Sequence, residues 1–252
     1  MRLLRLATLC LVLFLCGGRG GPPVGAALAQ APSWQAPEGQ REFSVTYVEF
    51  LPGRGEAGAA ALRRLAEAGM SLPGAIGVAA ARETGRPEFF TLIEAWRSAG
   101  DARAARDDAA REAARAALGP LLAVPLDERV GMPLAGGLGA AAWQPGRFAV
   151  VTHVDIMPPG APATRALLDR YLPAVRAEPG AAGIALLSWR ALPNHWQLVE
   201  VFRDAAAYDA HVAAAHTMGM RAAMLGLQPY VGAPYDSRRH LIVFALGSPP
   251  GE

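Results

Sequence analysis

Pro193-Asn194-His195-Trp196-Gln197-Leu198-Val199-Glu200-Val201-Phe202-Arg203 has a counterpart 106 residues earlier, Pro87-Glu88-Phe89-Phe90-Thr91-Leu92-Ile93-Glu94-Ala95-Trp96-Arg97. The proline, the Leu-β-branched-Glu triplet and the closing arginine coincide. Outside this stretch the same offset carries Pro52 to Pro158 and Pro73-Gly74-Ala75 to Pro179-Gly180-Ala181. Composition alone does not place prolines and glycines at matched turn positions, so the chain contains two copies of one domain. A period this long marks a duplicated domain and not a solenoid.

Each copy reads as strand, helix, two strands, helix, strand. In the second copy Phe148 to Met157 alternates, with Val151, His153, Asp155 and Met157 on one face and Val150, Thr152, Val154 and Ile156 on the other. Pro162 to Ala177 follows as an amphipathic helix, with Leu167, Leu168, Tyr171, Leu172 and Val175 as its apolar stripe and Pro173 as a kinking or shortening residue. Glu178-Pro179-Gly180 ends it. The runs Ala182 to Arg190 and Trp196 to Arg203 form a hairpin through Ala191-Leu192-Pro193-Asn194. Asp204 caps a helix running through Tyr208 and His211 toward Met224, and a last strand lies around His240 to Leu246 or earlier, near Pro229 to Val231. In the first copy the strands are Phe43 to Leu51, Ile76 to Glu83 and Phe89 to Arg97, with helices near Gly55 to Gly69 and Asp101 to Leu118. Domain limits of 41–132 and 148–246 follow, with a Gly/Ala-rich linker at 133–147.

A βαββαβ unit covers one sheet face with its helices and leaves the other bare, so each copy needs a partner. The fold expected is α+β, the two copies packing sheet to sheet as an intramolecular pseudo-dimer or pairing with a second chain as a homodimer.

Residues 1–29 read as a secretory signal peptide: Arg2 and Arg5, the apolar run Leu6 to Cys16, then Ala27-Leu28-Ala29. The expected location is periplasmic or secreted, without membrane attachment after cleavage; the alternative is an uncleaved segment retained as an anchor. Both cysteines, Cys10 and Cys16, lie in this segment, which leaves the mature chain without disulfides, thiolate nucleophiles or Cys-bound metal. Every basic residue other than histidine is Arg, the formal charge is only +2, and the arginines are interspersed with acids, so no nucleic-acid footprint is present.

The segment Arg176 to Gly180, the strand Pro193 to Asp204, and then Tyr208, His211 and His216 resemble the antibiotic biosynthesis monooxygenase family. The resemblance rests on a strand carrying Glu with an aromatic two residues later, followed by a helix carrying His. It implies ferredoxin-like domains in a dimeric α+β barrel. It also implies oxidation of a small aromatic or quinol substrate with O2 and no added cofactor, haem being possible as substrate or ligand. His211, His216, Glu200 and His153 are the catalytic candidates, and Trp196, Phe202, Tyr208 and Asp155 the substrate-binding ones. No metal site is expected. His211 and His216, about 140° apart on a continuous helix, could not grip one ion. Glu200 and His211 would make a proton-accepting pair, or equally a structural contact that orients the helix. Thr217 stands where the family usually has an aromatic.

Subtracting 106 from His211, His216 and His153 gives Ala105, Ala110 and Tyr47. The first copy is therefore expected to be a degenerate partner, with the chemistry in the second. The other reading is a non-catalytic binding module for haem or a hydrophobic small molecule.

Overall fold

The computed structural model describes residues 41–228, 230–232 and 236–247. The signal-peptide reading of 1–29 lies outside the described residues. The first repeat comprises β1 (Glu42–Glu49), α1 (Gly55–Met70), β2 (Ala75–Glu83), β3 (Phe89–Trp96), α2 (Ala99–Arg106), α3 (Ala109–Ala116) and β4 (Asp127–Gly137). The second comprises β5 (Phe148–Asp155), α4 (Ala161–Arg176), β6 (Ala181–Trp189), β7 (His195–Phe202), α5 (Ala205–Ala213), α6 (Ala215–Gly226) and β8 (Asp236–Gly247). From β1/β5 to α3/α6, each paired element starts 106 residues after its counterpart. The duplication thus holds at the level of backbone hydrogen bonding.

The eight strands close into one antiparallel barrel in the order β1-β3-β2-β8-β5-β7-β6-β4. Two long strands do the closing. The first part of β4 pairs with β1 (Tyr47 opposite Asp127, Phe43 opposite Gly131), and the remainder crosses to β6 of the other repeat. β8 pairs with β5 through Asp236–Leu241 and with β2 through His240–Gly247. The pseudo-dimer is therefore built within one chain.

Strand alternation sends one set of side chains inward and the other under the helices. Val45, Ile93, Val151, Ala185, Leu187, Val199 and Ile242 fill the barrel from both repeats. This is the face that each repeat alone would leave bare. Under α1, Leu62 and Leu65 pack on Phe90 and Leu92, and under α4, Leu168, Tyr171 and Leu172 pack on Leu198 and Phe202. Burial of each such side chain is worth about 1.5–3 kcal/mol.

The structure departs from the sequence reading in three places. The expected linker at 133–147 begins inside β4, and beyond it Leu138, Ala142 and Trp143 are buried in the barrel core, with the Trp143 indole donating to the Leu138 carbonyl at 3.1 Å. Gly136, at φ 78°, turns β4 so close to β6 that a Cβ there would sit 2.3 Å from the Ile184 carbonyl oxygen. Second, α4 ends at Arg176, within one residue of the expected Ala177, so that Pro173 does not shorten it. Third, the long second helix of each copy is broken in two. Asp108 caps α3 by accepting from the Arg111 amide, and Ala214, extended at ψ 141°, separates α5 from α6. Asp204 caps α5, accepting from the Ala207 amide at 2.8 Å.

Among the described residues, no helix is long and apolar enough to cross a membrane.

Candidate active site

The break at Ala214 determines the site. It changes the direction of the chain between His211 on α5 and His216 on α6, so the 140° separation of a continuous helix does not apply. Both rings now reach one carboxylate. Glu178, in the turn after α4, receives His211 Nδ1 at 2.8 Å and His216 Nε2 at 2.6 Å on the same oxygen, Oε1.

On the other side of the His211 ring, Nε2 lies 3.0 Å from the Tyr171 hydroxyl, which lies 3.0 Å from Glu200 Oε1. The direct His211–Glu200 distance is 3.6 Å. The pair expected from the sequence is therefore bridged by Tyr171. Thr217 Oγ1 stands 3.4 Å from His211 Nδ1.

Burial raises the pKa of Glu200 to about 7, opposed by the Tyr171 hydrogen bond and by Arg221 and reinforced by Glu178. Burial lowers the pKa of His211, against the pull of Glu178. The Tyr171 phenol is raised by burial and by the neighbouring Glu200, and keeps its proton. With Glu200 at about 7, two arrangements of the hydrogen bonds are populated near neutral pH. When Glu200 is ionised Tyr171 donates to its carboxylate; when Glu200 is protonated it donates to Tyr171, which donates to His211 Nε2; His211 Nδ1–H donates to Glu178 in both. Two hops, from Glu200 to the Tyr171 oxygen and from the Tyr171 hydroxyl to His211 Nε2, ionise Glu200, protonate the imidazole and leave Tyr171 donating to the carboxylate, with every hydrogen bond kept.

Glu200, Tyr171 and His211 face an apolar cavity of about 130 Å3. Its walls are Val150, Thr152 and Val154 of β5, Leu168, Leu186, Trp196, Leu198, Tyr208, Met220 and Met224, with Arg221 and Ser237 also lining it. A cavity of roughly 150 Å3 holds a benzene ring. The space therefore suits one aromatic ring, and a haem macrocycle is larger than it.

The sequence candidates divide into two groups. His211, Glu200, Trp196 and Tyr208 line the cavity. Phe202 lies fully buried against them, its ring 4.8 Å from that of His211 and 5.6 Å from that of Tyr208. His216 is not among the cavity-lining residues; it bonds Glu178, and its ring lies 6.2 Å from those of Tyr171 and His211. His153 and Asp155 are not part of this site: β5 turns them to the face opposite Val150, Thr152 and Val154, where they meet His195. Sequence reasoning missed Tyr171, which sits at an apolar-stripe position of α4, and Glu178, which sits in a helix-stopping Glu-Pro-Gly.

The equivalent place in the first repeat is occupied differently. Glu94, in register with Glu200, is bound by Arg111 of α3 at 2.9 and 3.0 Å and by the Ser44 hydroxyl at 3.0 Å, all three residues being buried. Arg111 is the counterpart of Thr217.

The family model for antibiotic biosynthesis monooxygenase matches the chain twice, at residues 43–117 and 147–223. The chain belongs to this family. No curated protein matches the sequence. Among solved structures, it is similar to a candidate monooxygenase from Fusobacterium nucleatum, at 15% identity and TM-score 0.73 over 84% of this chain and 96% of the other. A candidate monooxygenase from Lactobacillus acidophilus aligns at 14% identity and TM-score 0.68, over 84% and 98% of the two chains. An anthrone oxidase-like protein aligns at 11% identity and TM-score 0.63, over 83% and 94%. At these identities the likeness is one of fold.

Proposed function

We propose that the protein is an exported monooxygenase that oxidises a small single-ring aromatic, of the hydroquinone type, with O2 in the cavity of the second repeat. The observation that carries this reading is the Glu200–Tyr171–His211 chain at the wall of a ring-sized apolar cavity. A binding pocket for a neutral ring has no need of a buried acid whose pKa lies near 7, whereas a general base does.

The substrate hydroxyl gives its proton to ionised Glu200, and Tyr171 can pass that charge on to His211, where Glu178 stabilises the imidazolium. The phenolate left in the cavity is electron-rich enough to reduce O2. A hydroquinone and O2 give a hydroxyquinone and water, with the ring supplying all four electrons and no external reductant required. Trp196, Tyr208 and the β5 face would hold the ring and keep water away from the reacting centre. His216, bonded to Glu178 and partly exposed, would tune Glu178 and so the basicity of His211.

Oxygen consumption with a panel of hydroquinones tests this. Uptake by the wild-type chain that falls at least about a hundredfold in His211→Ala is the expected result. No uptake with any ring, or uptake untouched by that substitution, refutes it. Haem added to the protein should give no Soret shift; a shift would favour the binding-module reading. Export predicts an N-terminus close to Gln30 in the protein recovered from the producing cell.

A further inference from the structure

His153, Asp155 and His195 form a second constellation, at the end of the β5–β7 strand pair and on the opposite face of β5 from the cavity. We propose that these three side chains form a binding site for a divalent transition-metal ion of the zinc type, separate from the active site and not dependent on the reading given above.

Strand geometry brings them together. His153 and Asp155 are two apart on β5 and so share a face, and Asp155 is directly opposite His195, the first residue of β7. The possible ligand atoms converge: His153 Nε2 is 2.7 Å from Asp155 Oδ1, His195 Nδ1 is 2.6 Å from the same oxygen, and the two ring nitrogens are 3.1 Å apart. A tetrahedral ion with bonds of about 2.0–2.1 Å holds its ligand atoms about 3.3 Å apart. Small side-chain rotations, within the freedom of half-buried rings and an exposed carboxylate, open the triangle to that size. Two neutral imidazoles and one carboxylate are a borderline donor set suited to Zn2+ and its neighbours. Asp155 is 57% exposed, so the fourth position opens to water. The Trp189 ring meets the His195 ring edge-on at 5.7 Å and holds its plane.

Arg129 is the element that works against the ion. Its Nη1 lies 3.0 Å from His153 Nδ1, so without metal His153 keeps its proton on Nε2 and donates to Asp155. An ion takes the place of that proton, the ring then carries hydrogen on Nδ1, and Nη1 must withdraw. Arg129 has an alternative contact, since its Nε and Nη2 are already bonded to Asp127 at 3.1 and 2.7 Å. The arginine should therefore weaken binding without preventing it.

The test is equilibrium dialysis of the untagged, metal-stripped full chain against Zn2+, with Co2+ absorption as a second readout. One equivalent should bind. In His195→Ala, and in the milder Asp155→Asn, that equivalent should weaken at least about tenfold. His216→Ala should retain it, which separates this site from the only other group of His and acid side chains with ligand atoms within 4.8 Å of one another among the described residues, Glu178, His211 and His216. Arg129→Gln, which replaces a donor by an acceptor for Nδ1–H, should tighten it. A wild-type chain that binds no Zn2+, or Zn2+ that survives both His195→Ala and Asp155→Asn at unchanged affinity, overturns the proposal.

Discussion

The two repeats place a glutamate at the same register of the same strand and surround it with different partners. Glu94 is neutralised by Arg111 within the protein, as a closed ion pair with a serine hydroxyl on the same carboxylate. Glu200 has a hydroxyl and an imidazole in place of the guanidinium, and its proton stays near neutrality. At the equivalent positions the first repeat carries Leu65 for Tyr171, Leu72 for Glu178, Ala105 for His211 and Arg111 for Thr217. One backbone thus supports either a buried Glu–Arg pair or a Glu–Tyr–His hydrogen-bonded chain, and the difference lies in a few side chains on α1/α4 and the broken second helix.

The sharpest way to break the comparison is to make the same substitution twice. Glu94→Gln leaves the Arg111 cation buried without its counter-ion, and breaking a buried pair in this way costs about 3–5 kcal/mol. Glu200→Gln should do the reverse at alkaline pH. The carboxyl has a folded pKa of about 7 against an ordinary value of 4.5, so the folded state holds more protons than the unfolded one between those limits. Its contribution to stability is present in full below pH 4.5 and is lost as pH rises through 7, an amplitude of about 3 kcal/mol. Glu200→Gln should flatten that dependence and exceed wild type in stability at pH 8. Urea titrations at several pH values check both, and a Glu200→Gln chain destabilised as much as Glu94→Gln would show that the two sites are alike.

Thr217→Arg should convert the second site into the first. An arginine at that register reaches Glu200 from α6 as Arg111 reaches Glu94 from α3. It would hold the carboxylate ionised, fill the ring-sized space, and abolish both oxygen uptake and hydroquinone binding. Overpacking should cost about 1–3 kcal/mol, partly offset by the new pair. Retained uptake would mean that the open cavity and the free glutamate are not what distinguishes the repeats.

These contrasts were only partly legible in the sequence. The duplicated scaffold was, because Pro and Gly fix turns locally and the alternation of Val150 to Ile156 assigns strand faces without tertiary information. Glu200 and His211 are legible as candidates because the family pattern points to them. Tyr171 was passed over because a tyrosine in an apolar stripe reads as core, and only the packed structure shows where its hydroxyl goes. Glu178 looked like a helix terminator for a similar reason. His153 and Asp155 were recognised as one face of β5, but which of the two faces met the helices was settled by barrel closure. His195 lies 40 residues beyond Asp155, and its proximity depends on the β5–β7 register. The separation of His211 and His216 was misjudged because the break at Ala214 has no Gly or Pro to announce it.

Tyr171→Phe carries the smallest expected effect on stability and tests the central link of the chain. Leu65 occupies the equivalent position in the first repeat, so the scaffold does not require a hydroxyl there, and losing one hydrogen-bonding group should cost about 1 kcal/mol. Glu200 Oε1 and His211 Nε2 would then face each other at 3.6 Å with nothing between them, too far for direct transfer. A residue that only walls the cavity would change KM, since Phe keeps the ring but alters its polarity. A residue that passes a proton should lower kcat for oxygen uptake while KM stays within about twofold, because the interaction is used after the substrate is bound. The pH profile separates the cases further: with the bridge cut, the limb set by Glu200 should persist while its coupling to His211 disappears, so that His211→Ala in the Tyr171→Phe background adds no further loss.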